Sequence, residues 1–387
     1  ATPARPRCGA GLAAAAGYAP QRPLSADAHH LVRAAARDRL TPRQRHDARV
    51  AALDHAASLG SVAVHECAGP QIGGLSDWTE LRGLRHGVEV IGYWGEPARD
   101  ADHARALIAE TGANGLAGDL FVDGALGSRT AWLHDEYSDA PGTFGNCYLD
   151  TAAIATHLHA CTEAGITAGF HVIGDAAVSA VVAALAAVVD TLGTPAVARC
   201  GHRLEHLEMV SPAQAARLGA WGVTASMQPN FDAQWGGDDG KYAQRLGPDR
   251  VHRLTQLALL TSQGVPLAFG SDTPVTSMNP WESVRSAVSH RTPSAAISPR
   301  SAFAAATRGA WRAGGVRDGV TGSLVPGAPA SYAVRDADQL EVSAPANVVQ
   351  RWSTDPRSRV PALPRLAAGG ELPRCRQTVH RGVVIHG

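Results

Sequence analysis

Three segments, FHVIGD at 170–175, RLEH at 203–206 and FGSDTPV at 269–275, bring a histidine, a second histidine and an aspartate into chain order. Each lies where an apolar run gives way to polar residues, as at the C-terminal end of a β-strand. His171, His206 and Asp272 together offer two imidazoles and a carboxylate. That set suits a hard-to-borderline divalent ion such as Zn²⁺, and an ion with open coordination positions activates water. One such histidine alone is ordinarily a hydrogen-bonded core residue. Three strand-end donors, separated by 35 and 66 residues that leave room for helices, point to a metal-dependent hydrolytic site. Their donor atoms are then expected to reach one point at about 2.0–2.2 Å.

The elements that must position these side chains alternate along the chain. SVAVHEC (61–67), VEVIGYW (88–94), LAGDLFV (116–122), ITAGFHVI (166–173), HRLEHL (202–207), VTASMQ (223–228) and VPLAFGS (265–271) read as strands. Amphipathic stretches at 101–111, 150–164, 175–191, 211–220 and 250–263 read as helices between them. Strand–helix alternation at this pitch predicts an α/β fold with a parallel sheet, and ligands at several strand ends favour a TIM-like (β/α)8 barrel. Seven strands are countable where such a barrel has eight, so its first strand is expected to be missing ahead of residue 61. Residues 24–59 read as helical, with Gly60 as a C-cap. After residue 322 the texture changes to short strands and Pro-rich turns. The expected layout is a helical or irregular segment at 1–60, a hydrolase barrel at 61–321 and a β-rich partial sandwich at 322–387.

Composition narrows the function. The 387 residues carry 35 basic and 35 acidic side chains, a formal net charge of zero. Neither a nucleic-acid groove nor an anionic membrane partner is expected from that balance. Lys241 is the sole lysine. The six cysteines are scattered without C-x-x-C spacing, which favours reduced thiols over a disulfide framework or a zinc ribbon. The Ala-rich N-terminal run is too short for a signal sequence or a membrane span. A cytoplasmic protein acting on a small molecule follows, with a homodimer compatible.

The motifs DLFVDGALGSRTAWL, FHVIGDAAV, HRLEHLEMV, VTASMQPNF and FGSDTPVTSMNPWESVRSAV occur in this order over residues 119–288. They resemble the amidohydrolase superfamily, and more closely its YtcJ-like branch, the amidohydrolase-3 type. GSLVPGAPASYAV near the C-terminus resembles that family's return to a β-sandwich, with Ser331 where aspartate is usual. The resemblance implies hydrolysis of a C–N bond by one or two divalent ions at the barrel mouth. It implies His171 and His206 as metal ligands at strands five and six. Asp272, at strand eight, would both bind metal and accept a proton from the attacking water. At strand four, Asp119 stands where many relatives have a carboxylated lysine, and its own carboxylate could ligate. Most relatives also carry an H-x-H pair on strand one. The H-x-H of this chain, His157 and His159, falls in a helical stretch and is not expected to ligate. With fewer neutral donors, one ion is expected in preference to two. The alternative to an active hydrolase is a chain with this fold and part of a metal site that binds without turnover.

Further candidates hang over the expected mouth. Asp123 and Arg129, in a Gly-rich loop after strand four, are read as substrate contacts, as is Gln228 at the end of strand seven. Asp175 is read as a helix cap. Arg203 and Glu205 share one strand face as a buried ion pair, and His206 is expected on the opposite face.

Overall fold

The seven apolar runs become one parallel sheet in the computed structural model, which describes residues 9–15, 17, 18, 24, 26–341, 362–367 and 369–387. Its strands are β1 (Ala63–Ala68), β2 (Glu89–Trp94), β3 (Gly115–Leu116), β4 (Thr167–Val172), β5 (Arg203–His206), β6 (Thr224–Met227) and β7 (Leu267–Phe269). They pair in chain order, each parallel to the next, with helices in the crossovers. Among the described residues β1 and β7 are not joined. The sheet is therefore a curled half-barrel of seven strands, where a TIM-like barrel was expected.

Alternation along the strands sorts the side chains. Leu116, Phe170, Val172, Leu204 and Met227 enter a continuous core under the helices. The helix Asp175–Leu192 presses its apolar side into the same core. Its mean hydropathy of 1.8 would suit a membrane span by length and composition alone, yet half of it is buried within the protein. The opposite strand face is polar. There Arg203 pairs with Glu205, donates from Nη1 to His65 Nδ1 at 3.0 Å and from Nη2 to Ser226 Oγ at 3.0 Å, and lies 4.3 Å over the Tyr93 ring.

The expected strand at 116–122 is broken. Gly118 takes φ +81, where a Cβ would meet Cys67 Cβ at 2.9 Å, so the chain bends out of the ladder and rejoins through a single bridge from Phe121 to His171. The expected helix at 250–263 is likewise divided. Thr255, at φ +48, separates Pro248–Val251 from Leu257–Ser262.

Helices at Ala26–Arg37 and Pro42–Ser58 bear out the helical reading of 24–59. Thr41 caps the second helix in a reciprocal box with Gln44, and Gly60 follows it at φ +85. That helix packs on the C-terminal strands: Thr378 Oγ1 donates to Ala57 O at 2.7 Å, and Leu53 shares a cluster with Ile385. β8 (Tyr332–Asp336), β11 (Arg374–His380) and β12 (Val383–His386) form an antiparallel sheet, and β9 (Leu340–Glu341) pairs with β10 (Leu363–Pro364). Cys67, Cys147, Cys161, Cys200 and Cys375 are free thiols, as their spacing implied.

One contact shows how tightly the helical layer sits. A Cβ added to Gly92 in β2 would come within 1.8 Å of the Trp78 ring, and Trp78 is 3% exposed. Gly92→Ala is expected to lower stability by about 1–3 kcal/mol through overpacking. In a urea denaturation series, Trp78→Leu combined with Gly92→Ala should recover part of that loss.

Candidate metal centre

β4 and β5 deliver the two imidazoles. His171 alternates with Phe170 and Val172, which enter the helix-facing core, so it projects to the polar face. Simple alternation would send His206 the other way, beside Leu204. The backbone overrides it: His206 at φ 72 and Leu207 at φ 42 are left-handed, and the chain turns His206 back over the mouth. The two rings then stand edge to face with centroids 4.4 Å apart. Phe231 stacks on His206 at 5.7 Å, and Phe121 lies 4.8 Å from His171.

Hydrogen bonds fix the tautomers. His171 Nε2 lies 3.2 Å from the Gly124 carbonyl, which can only accept, so Nε2 carries the proton and Nδ1 keeps its lone pair. His206 Nδ1 lies 2.7 Å from Gln228 Oε1. The Gln228 amide nitrogen donates to Ser226 O at 3.2 Å, which leaves Oε1 as the acceptor and His206 Nε2 with a free lone pair. Burial, reinforced by His206, holds His171 well below the usual histidine range, so it is neutral.

Two carboxylates complete the mouth. Asp272 leaves β7 on the face of Ala268 and Gly270, at φ 52, and is exposed. Desolvation raises its carboxyl, His206 opposes that rise, and Glu205 adds to it. Asp119 follows the break at Gly118 and lies half-buried on the side of the sheet where Asp272 and Glu205 act on its carboxyl. Burial, then Asp272 and Glu205, push Asp119 up to about 7, with Arg33 opposing. Among the described residues no three His, Cys, Asp or Glu side chains gather closely enough to hold a metal ion. The expected single point of convergence for His171, His206 and Asp272 is therefore not closed in this arrangement.

The profile described as the amidohydrolase family matches residues 1–386. The chain belongs to the amidohydrolase family. It is 32% identical over 224 residues to the Protein LONG AFTER FAR-RED 3 of Arabidopsis thaliana, covering 55% of this chain and 37% of that one. It is 31% identical over 169 residues to the putative amidohydrolase YtcJ of Bacillus subtilis (strain 168), covering 44% of this chain and 30% of that one. The matches thus span about a third of each curated relative. An uncharacterized metal-dependent hydrolase from Pyrococcus furiosus has a similar structure, with TM-score 0.64, 26% identity, and coverage of 79% of this chain and 63% of that one.

In this family member the donors suit a divalent ion in kind and in charge. Two neutral imidazoles present lone pairs, and Asp119 is an acid surrounded by other acids, the electrostatic situation that a cation relieves. His171 and His206, with Asp119 and Asp272, are the residues that would hold it.

Asp123 and Arg129 are placed differently from expectation, and Asp175, Gln228 and His157 are each accounted for by partners in the fold. Asp123, read as a substrate contact, is fully buried; its carboxylate accepts backbone N–H groups from Trp132 at 2.9 Å, Ile173 at 3.0 Å and Gly174 at 2.8 Å. It ties the 123–149 loop to the end of β4 and offers substrate no surface. Arg129, read likewise, is occupied by Asp139, to which Nε and Nη2 donate at 2.9 and 2.7 Å. Gln228 orients His206 through Oε1 and donates from Nε2 to Ser226 O. Asp175 lies just inside its helix and braces the same loop, accepting His134 N–H at 2.9 Å. His157 is a satisfied core residue, with Nδ1 accepting from Ala98 N at 2.9 Å and Nε2 donating to Leu116 O at 3.0 Å. Phe231 was missed, because an aromatic after Gln-Pro-Asn carries no signal separable from ordinary core packing.

The Asp123 knot has a pH signature. Burial pushes its carboxyl up to about 7 against the opposing pull of the backbone donors. The folded chain thus keeps a proton that the unfolded chain releases, so the associated stability is lost as pH climbs from about 4 through about 7. Asp123→Asn should be less stable at pH 5 by about 1–3 kcal/mol, since the amide turns a donor toward backbone N–H groups. It should also lose less stability than the parent between pH 5 and pH 8 in denaturant titrations.

Proposed function

We propose that this chain hydrolyses an amide-type C–N bond of a small molecule at the mouth of a barrel-type sheet, using a divalent ion with Zn²⁺ as the leading candidate. The observation that carries the reading is the pair of imidazoles, each presenting a free lone pair at one mouth flanked by Asp119 and Asp272. A bound ion would lower the pKa of water and polarise the scissile carbonyl. His171 and His206 supply neutral donors whose tautomers are already set by Gly124 O and Gln228 Oε1. Asp272, exposed at the mouth, would take the proton of the attacking water and pass it to the leaving nitrogen, a role supported by the electrostatic pull of His206 on its carboxyl. Phe231 and Phe121 wall the imidazoles and keep water from their ring faces. A cytoplasmic setting and a homodimer are compatible with this reading.

A second reading follows from the open spacing of the donors among the described residues. On it, the chain keeps the fold and binds a ligand without turnover. Metal content per polypeptide, measured beside the hydrolysis rate of an N-acyl amide panel with and without chelator, separates the two. Stoichiometric metal with chelator-sensitive turnover supports the hydrolase; metal-free protein without turnover removes it.

Two variants sharpen the assignment. Asp272→Asn is expected to lower kcat by about 10²–10⁴-fold as a lost proton acceptor. Gln228→Leu, which releases His206 from its hydrogen bond to Oε1, is expected to weaken metal affinity by about 10–100-fold in a competitive chelator titration.

A further inference from the structure

A groove of about 530 Å³ lies between the 123–149 loop and the helix Asp175–Leu192, and it shares no residue with the imidazole mouth. That volume falls within the range of small-molecule sites, about 300–1,000 Å³. The helix turns Val178, Val181 and Leu185 into the core, and its adjoining face brings Ala176, Ala180 and Ala183 to the groove. With nothing beyond Cβ, these alanines leave a flat floor. Trp132 and Phe144 line the groove beside it, and Phe144 is 47% exposed. Backbone bonds hold these walls: Leu133 N–H donates to Phe144 O at 2.8 Å, Ala176 N–H to Trp132 O at 3.2 Å and Trp132 N–H to Asp123 Oδ2 at 2.9 Å. Gly145, at φ +83, lets the loop return this closely, since a Cβ there would meet Ala131 O at 1.9 Å. The groove is therefore preformed.

Its polar lining is set for a ligand of one kind. Ser179 Oγ donates its single hydrogen to Asp175 O at 2.7 Å, so it accepts from Gln214 Nε2 and from His134 Nε2, both at 3.0 Å. His134 Nε2 thus carries the proton, and Nδ1 of the neutral ring keeps a lone pair with no hydrogen-bond partner among the described residues. The His134 backbone is fixed as well, its N–H donating to Asp175 Oδ1 at 2.9 Å. No lysine, arginine, aspartate or glutamate is among the lining residues, so an ionic guest would lose water and gain no counter-charge.

We infer that this groove binds a neutral, planar aromatic molecule carrying one N–H or O–H donor, of the indole or phenol class. The ring lies on the alanine floor beside Trp132 and Phe144, where offset or edge-to-face packing adds to the burial of its surface. Its donor meets His134 Nδ1. The site stands whether or not the imidazole mouth turns over an amide.

The test titrates the full chain at pH 8 with indole and with benzothiophene, a ring system of the same shape that lacks the N–H, followed by saturation-transfer NMR. Both probes should bind. His134→Ala removes the acceptor and should weaken indole by about 3–10-fold while leaving benzothiophene unchanged. Ala183→Phe fills the floor from an exposed helix position, where folding tolerates the change, and should abolish binding of both probes. Failure of indole to bind the parent chain overturns the inference. So does binding that Ala183→Phe leaves intact, or a His134→Ala variant that weakens both probes equally or neither.

Discussion

Arg203 carries a permanent charge inside the curled sheet, and its surroundings are arranged around that fact. Glu205 answers it through two nitrogens, His65 and Ser226 each accept a further N–H, and the Tyr93 ring lies beneath it. These partners come from β1, β2, β5 and β6, so one guanidinium ties the first strand of the open sheet to strands on its far side. Removing a single member would strand a buried charge, a far larger penalty than the net gain of forming the pair. Glu205 and Tyr93 raise Arg203 against the pull of its burial, and burial, then Arg203, lower His65 to about 3, so this cluster holds one cation, one anion and a neutral imidazole. His206 follows Glu205 directly in the chain. The position of the His206 imidazole is thereby coupled to this buried ion pair.

The strand–helix rhythm was legible because the strands carry apolar runs bounded by glycine, proline or acid, and several helices open on a side-chain cap. Thr41, Asp100, Asp150 and Ser211 each accept the N–H three residues on, as their types suggest. His171 was legible too, since alternation alone orients it. His206 was placed for an incomplete reason. Period-two reasoning correctly puts Arg203 and Glu205 together but cannot anticipate two successive left-handed residues, which neither histidine nor leucine advertises.

The loop residues were the least legible. Asp123 and Arg129 looked like substrate contacts because polar side chains beside glycines mark functional loops as readily as braced ones. What separates the cases is partnership across distant segments: Asp123 with residues 173 and 174, Arg129 with Asp139, itself shared with Arg245. Gln228 illustrates the same limit from the other side. Its position at a strand end was right, and its task depends on an imidazole 22 residues away.

The unjoined edges of β1 and β7 have a consequence for assembly. Each presents a row of backbone groups with no strand beside it among the described residues. Both strands run in the same sense, so the β7 edge of one copy is a template for the β1 edge of the next. Such a contact is heterologous: it uses different surfaces on the two copies and leaves a free edge at each end. An interface of that type closes only if its rotation happens to complete a ring, and otherwise extends indefinitely. Association through the sheet would therefore give open-ended chains whose length grows with protein concentration, in contrast to the fixed stoichiometry of a two-fold dimer.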